Sequence, residues 1–370
     1  MNSSSVAGVR GSSPGRYSVA VVGLGWAGRS IWLPRLQAHP AFEVVAAVDP
    51  EAVIRSTVRR EAGDDLRLLS SVDELKQVPV DLAVVAVPNH LHHDVAKGLL
   101  LDGVSVFLEK PVCLSTEEVD SLAAAERAGR ATLLAGSAAN FRADILALHD
   151  LRKELGHIRH IELSWIRARG VPSGDGWFTD RRYAGGGALV DLGWHLLDVA
   201  GPLLGDAEID QVVGSVSADF VNDSSRGAVW RHDAGAGATG DVEDTANAFL
   251  VTDDGTSVSV RASWASHEER DVTSVTVHGS EGTARLRCTF GFSPNREDGP
   301  VLSLTCDGET VVLPVPDEPI GSEYDRQLTE LPGLLADPAA QGKAIEDARK
   351  TVRVIEGVYG SVRRLTRRSA

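Results

Sequence analysis

The chain has 370 residues, 43% of them hydrophobic and 24% charged, which matches an ordinary globular protein and a length that suits two domains better than one. A formal net charge of −15 repels nucleic-acid phosphate, and no apolar run approaches the ~20 residues of a membrane helix. Cys113, Cys288 and Cys306 lie too far apart to suggest a disulfide framework or a zinc knuckle, so the cytoplasm is the expected compartment.

Residues 1–16, rich in Ser and Gly, lack the basic start and apolar segment of a signal peptide and read as a disordered tail. Tyr17 to Val22 then reads as a strand, Gly23-Leu24-Gly25-Trp26-Ala27-Gly28 as a glycine turn, and Arg29 to Gln37 as a helix that tolerates Pro34. This is the order a dinucleotide fingerprint requires. Gly23 permits the tight turn, Gly25 lets a pyrophosphate approach the backbone, and Gly28 lets the helix pack closely on the strand. A second strand, Phe42 to Val48, ends in Asp49, about 26 residues after Gly23. Asp49 is placed to accept hydrogen bonds from the adenosine ribose, and its charge favours NAD over NADP. The other reading is a turn aspartate before Pro50, and Arg55, Arg59 and Arg60 keep a 2′-phosphate in play.

Asp81 to Val87 is a further buried strand, broken by Pro88, after which Asn89 can cap a helix that runs to about Leu101. His90, His92 and His93 spread around that helix start instead of converging, so no metal is expected. The next strand, Val104 to Leu108, leads into Glu109-Lys110-Pro111. A charged pair at the carboxyl end of such a strand faces the crevice where open α/β sheets bind ligands. A lysine there can hydrogen-bond a substrate hydroxyl beside a nicotinamide ring. Helix from Thr116 to about Ala128 and strand from Ala131 to Ala135 come next, giving a dinucleotide-binding domain over residues 17–140.

Over 141–330 the elements change: a helix from Ile145 to Glu154, then β runs from Ile158, Gln211, Asn247, Ser257, Thr273, Ala284 and Val301. Many strands after a βαβ half imply a mainly antiparallel sheet in an α+β domain. Asn222 to Gly240 reads as a long loop, and residues 331–370 as a helical segment interrupted at Pro332-Gly333 and Pro338. Arg363, Arg364, Arg367 and Arg368 suit the final turns of that helix by opposing its dipole. The chemistry-bearing stretch is Gly185-Gly186-Gly187 and then Asp191, His195 and Asp198, polar residues four and three apart that share one face of an otherwise apolar helix. A capped helix with a satisfied core histidine is the bland alternative.

Gly23 to Gly28, Pro88-Asn89-His90-Leu91-His92, Glu109-Lys110-Pro111, and Gly185-Gly186-Gly187 through Asp191 to His195 occur in an order and spacing that resemble the glucose-fructose oxidoreductase / inositol dehydrogenase / rhizopine-catabolism family (Gfo/Idh/MocA). The resemblance covers nearly the whole chain from about Ser18. It implies an N-terminal Rossmann domain, a C-terminal α+β domain on a large, open, mainly antiparallel mixed sheet, and a homodimer or homotetramer formed through that sheet. It also implies an NAD(P)-dependent dehydrogenase or ketoreductase acting on a small carbohydrate or cyclitol.

The same resemblance places the dinucleotide along Gly23, Leu24, Gly25, Trp26 and Ala27, beside Asp49, and past Val87, Pro88, Asn89, His92, Glu109 and Lys110. Lys110, Asp191 and His195 match the family's catalytic positions. With Arg142, Arg167 and Trp177, in segments that flank the polar-faced helix by sequence, they are the expected substrate contacts. Aromatic faces suit a sugar's apolar face and arginines suit a carboxylate or phosphate, although a solvated basic surface, or ion pairs with the chain's many carboxylates, is the favoured account of the arginines. Two other functions compete: an NAD-dependent glycoside hydrolase working by transient oxidation, which shares the lysine and histidine, and a non-catalytic dinucleotide sensor. A complete Lys110, Asp191 and His195 set speaks against the sensor, which needs no proton acceptor.

Overall fold

The computed structural model describes residues 15–63, 66–172, 176–228 and 239–368, with side chains as far as 364. Most of the expected tail, the middle of the Asn222–Gly240 loop and the side chains of Arg367 and Arg368 lie outside the described residues. Strands β1 (Tyr17–Val22), β2 (Phe42–Val48), β3 (Arg67–Leu69), β4 (Leu82–Val85), β5 (Ser105–Leu108) and β6 (Leu133–Ala135) pair in parallel. Their order is β3-β2-β1-β4-β5-β6. The strand order reverses between β1 and β4, and the crevice over the carboxyl ends of those strands is where such sheets bind ligands. β1 and β4 are apolar on both faces because helices cover both sides. Helices α1 (Leu33–Ala38) and α2 (Ala52–Ala62) join one apolar cluster with the sheet, while α3 (His92–Leu101) and α4 (Thr116–Gly129) join the other.

The second sheet contains β7 (Ile158–Ile166), β8 (Ile209–Ser217), β9 (Thr245–Thr252), β10 (Ser257–Ser263), β11 (Val272–Gly279), β12 (Thr283–Cys288), β13 (Val301–Cys306) and β14 (Glu309–Leu313). Its order is β14-β13-β12-β11-β7-β10-β9-β8, antiparallel except for the β7–β10 pair. The expected open, mixed, mainly antiparallel sheet is therefore present. Of the helices α5 (Ala143–Asp150), α6 (Arg181–Ala184), α7 (Trp194–Leu204), α8 (Ser322–Ala336) and α9 (Lys343–Arg368), α5, α7 and α9 cover one face of it. The other face shows the row Val213, Phe249, Ser259, Glu162, Thr276, Arg285, Ser303 and Val312, one residue from each strand in register. Buried side chains of the first sheet, the second sheet and α7 belong to one continuous cluster, so the two lobes share a core.

Three local features differ from the sequence reading. The helix after the glycine turn opens as a π turn, Ala27–Trp32, in which the Leu33 amide donates to the Gly28 carbonyl. Pro34, with no N–H to offer, comes at once. A second π turn, Leu189–Gly193, precedes α7. The expected interruption at Pro332-Gly333 is absent: both residues lie inside α8. An internal proline costs about 3 kcal/mol. Buried Leu328 and Leu331 hold α8 against the first sheet and offset that cost.

Candidate active site

At the end of β1, Gly23 adopts φ +89°, and a Cβ there would lie 2.5 Å from the Ala86 carbonyl oxygen, so the turn excludes other residues. At the end of β2, the Asp49 carboxylate accepts from the Leu24 amide (2.9 Å) and the Glu51 amide (2.9 Å). The fingerprint turn is thereby tied to the aspartate. Arg55 turns back to the carbonyl oxygens of Asp49 and Pro50.

After β4, the Asn89 amide donates to the Ala184 carbonyl at 3.0 Å and so links this loop to α6 of the second lobe. His92 is 1% exposed, with Nδ1 2.6 Å from the Pro111 carbonyl and Nε2 2.8 Å from that of Val87. Burial drives its imidazole down to about 4, against the pull of the two carbonyls, which favour the cation. One ring nitrogen therefore carries the proton at neutral pH. His92 braces the loops after β4 and β5 against each other.

The β5 strand delivers Glu109 and Lys110. Glu109 accepts from Trp32 Nε1 at 2.7 Å, and burial raises its carboxyl above the ordinary range, although the Lys110 charge opposes this. Lys110 points the other way, across the crevice: its Nζ donates to Asp191 Oδ1 at 2.6 Å and to the Asp191 carbonyl at 3.4 Å. Only 17% and 12% of the two side chains are exposed, so water screens the pair weakly. Asp191 also accepts from Trp264 Nε1 at 2.9 Å through Oδ2. Burial opposes its ionisation, but Lys110, Arg167 and these hydrogen bonds outweigh burial and hold the carboxyl well below the usual range.

His195 lies one turn later, at the start of α7, with its ring 5.7 Å from that of Trp165. Burial and then the Lys110 charge lower its imidazole to about 3, so it is neutral at working pH despite the nearby Asp191. Its Nδ1 and the indole Nε1 of Trp165 are both buried without a hydrogen-bond partner. Arg167 stacks over Trp165 at 5.0 Å. Lys110, Asp191, His195 and Arg167 thus come together around Trp165 and Trp264.

The remaining candidates sit further out. Trp177 connects to Asp191 through Phe178 and Trp264, with ring separations of 4.9 and 6.1 Å. Arg142 forms a bidentate pair with Asp144, at 3.0 and 2.7 Å, and stacks on Phe290 at 4.5 Å, which separates it from His195 by two aromatic rings. With Asp144, Arg296 and Glu323 it lines a separate cavity of about 280 Å³.

Residues 17–137 match the family model described as oxidoreductase family, NAD-binding Rossmann fold, and residues 151–285 match the GFO/IDH/MocA C-terminal domain. A protein of Amycolatopsis mediterranei (strain S699) is 58% identical over 342 residues, covering 92% of this chain and 95% of its own. It carries the provisional name UDP-kanosamine synthase oxidoreductase subunit. The chain belongs to the GFO/IDH/MocA oxidoreductase family.

Two further proteins to which this chain is similar are the D-glucoside 3-dehydrogenase of Escherichia coli (strain K12) and GenD2. The former is 26% identical over 79% of this chain and 82% of its own. GenD2, from gentamicin A biosynthesis and solved in complex with NAD, superposes with a TM-score of 0.73 at 25% identity over 94% of both chains. The residues of this GFO/IDH/MocA oxidoreductase fit a dinucleotide. An ideal Cβ on Gly25 meets nothing within 4 Å, leaving open space above the turn where a pyrophosphate would lie against the helix start. Asp49 has acceptor capacity beyond its two backbone contacts for ribose hydroxyls.

Among the described residues, no group of three or more His, Cys, Asp or Glu is arranged to hold a metal ion, and no helix is long and apolar enough to cross a membrane. Sequence reasoning missed Trp264, the direct partner of Asp191. It stands just past β10, and its one signal was its position at the end of a β run parallel to the one that ends beside Trp165.

Proposed function

We propose that this enzyme moves a hydride between a nicotinamide cofactor and one carbinol carbon of a nucleotide-linked hexose, with Lys110, Asp191 and His195 handling the hydroxyl and its proton. The observation that carries this reading is the Lys110–Asp191 contact of 2.6 Å, which joins the end of a dinucleotide-binding strand to the second lobe beside a neutral histidine. Bound NAD supplies the hydride acceptor in the oxidative direction. Lys110 directs two N–H groups at Asp191 Oδ1 and the Asp191 carbonyl and has a third for the substrate oxygen, where its charge stabilises the developing alkoxide. Neutral His195 has a lone pair for the hydroxyl proton, and Asp191 keeps the ammonium aimed.

The nucleotide-linked, amino-sugar context rests on the name of the 58% identical relative. Oxidising one hydroxyl to a ketone is the share of amino-sugar synthesis that falls to an oxidoreductase, and an amination would consume the product. Asp49 supports NAD over NADP. The uncovered face of the second sheet, with Val213, Phe249 and Val312 on it, supports a dimer or tetramer, and a monomeric mass on sedimentation would refute that.

The test is a panel of nucleotide-linked hexoses, free sugars and cyclitols with NAD and NADP. Stoichiometric NADH with a nucleotide-linked hexose is the expected result. Sugar release without net cofactor change would replace this reading with the hydrolase, and turnover of cyclitols alone would remove the nucleotide-sugar assignment.

A further inference from the structure

The glycine triplet leads to a carboxylate with no part in the chemistry described so far. Glu243, just before β9, is 2% exposed. Its Oε1 accepts from the Gly187 amide at 2.9 Å, the Leu189 amide at 3.1 Å and the Tyr359 hydroxyl at 2.8 Å. Its Oε2 lies 3.3 Å from Arg181 Nη2, and the Arg181 guanidinium stacks over the Tyr359 ring at 5.1 Å. The Glu243 main-chain oxygen takes the remaining amide, that of Ala188, at 3.0 Å.

Three successive amides at the start of the helical segment are therefore all held by one residue. Helix starts ordinarily leave such amides to water or to a local cap. Here the cap comes from 54 to 56 positions away in sequence. The approach is close enough that a Cβ on Gly187 would lie 1.8 Å from the Glu243 carbonyl oxygen.

The clamp runs directly into the active site. The Asp191 amide donates to the Gly187 carbonyl at 2.9 Å, so the clamped residue is also the one that starts the turn bearing Asp191. That turn is π-helical, a wider and less regular geometry than an α-turn, which needs outside contacts to hold it. The neighbouring Asp244 carbonyl accepts the Trp264 amide at 2.8 Å, and Trp264 Nε1 grips Asp191 Oδ2. Both supports of Asp191, its own backbone and its indole partner, are thus anchored at the dipeptide Glu243-Asp244.

We propose that Glu243 is a positioning residue for the reaction: it clamps the π turn Leu189–Gly193 and so fixes the Asp191 carboxylate against Lys110. This rests on the roles given above to Lys110 and Asp191. The clamp lies on the second lobe, away from the fingerprint, so its loss should lower turnover without loosening the dinucleotide. Misplacing a catalytic group by about 1 Å costs on the order of 100-fold in rate.

The experiment compares Glu243→Ala, Glu243→Gln, Tyr359→Phe and Asp191→Asn, each read for kcat, KM, NAD affinity by calorimetry, and melting temperature. Glu243→Ala should lower kcat by about 10- to 100-fold while NAD affinity stays within about threefold. Glu243→Gln keeps an oxygen acceptor for the two amides and should recover most of the rate, and it is the retained NAD affinity of Glu243→Ala beside its lowered kcat that a generic packing defect would not show. Tyr359→Phe keeps the ring, and should lower kcat by roughly two- to fivefold with unchanged NAD affinity, the loss of one modest hydrogen bond. It decides the matter if Glu243→Ala does not fold, wild-type kcat then counting against the clamp.

The proposal is overturned if Glu243→Ala keeps wild-type kcat, or if kcat, NAD affinity and melting temperature fall together without rescue by glutamine. The Asp191→Asn arm separates the two readings. If it collapses turnover while Glu243→Ala does not, only the clamp fails. If Asp191→Asn turns over normally, the active-site reading fails and takes the clamp with it.

Discussion

Lys110–Asp191 and Arg142–Asp144 are both shielded ion pairs, with cation side chains 17% and 16% exposed. Their geometries diverge. Arg142 meets a carboxylate two residues away through two parallel hydrogen bonds and lays its face on Phe290. That arrangement fixes the guanidinium in a planar, bidentate grip and braces the start of α5. Lys110 meets a carboxylate 81 residues away through one short contact to Oδ1. A lysine ammonium has three donors on a flexible stem, so this pair retains hydrogen-bonding capacity for a ligand. Sequence placed both cations among the substrate contacts. The contrast between the pairs teaches that reach separates them: Lys110 joins the end of β5 to the second lobe across the crevice, whereas Arg142 closes on a neighbour in its own segment.

The largest effect expected from breaking this contrast is catalytic. Lys110→Ala and Asp191→Asn should each lower turnover by ~10²–10⁴-fold with NAD affinity within a few fold, and steady-state rates beside calorimetry check both. Arg142→Ala should instead act on the fold. It strands Asp144, 3% exposed, without its partner. Breaking a buried pair in this way costs about 3–5 kcal/mol, visible as a lower melting temperature, with KM for the sugar unchanged in the folded fraction. A raised KM at wild-type stability would put Arg142 back in the substrate site. Trp264→Phe removes one donor to Asp191 and should cost about tenfold in kcat, since a hydrogen bond to a charged group is worth about 1.5–3 kcal/mol.

The smallest effect concerns pH. His92 and His195 have imidazoles pushed down to about 4 and about 3, so their contribution to stability is complete above the ordinary value of 6.5 and is lost as pH falls through the folded values. Asp198 runs the other way. Burial raises its carboxyl to about 7 from 3.8, so its contribution is present below 3.8 and disappears as pH rises through about 7. Asp198→Asn should therefore gain on the wild type by roughly 2–4 °C in melting temperature between pH 4 and pH 8. A constant difference over that range would show that Asp198 does not titrate there.

Much of the first lobe was legible because its signals are local. The fingerprint, the strand ends and the helix starts lie within a few residues of the groups they serve. The β13–β14 hairpin was legible too, and was overlooked: Asp307 and Gly308, both at positive φ, form a two-residue turn of the kind that Asp-Gly announces between β runs. Trp264 was not legible in that way. Its indole meets a carboxylate 73 residues away, and no spacing rule joins them.

Sequence alone determined the glycine turn, the acidic end of β2, the lysine at the end of β5 and the polar face shared by Asp191 and His195, because backbone geometry and helical or strand periodicity act over a few residues. Only the tertiary structure decided that Lys110 meets Asp191, that Trp264 meets Asp191, and that burial leaves His195 neutral. Those outcomes depend on which surfaces two lobes press together, and on how much water that contact removes from each charge.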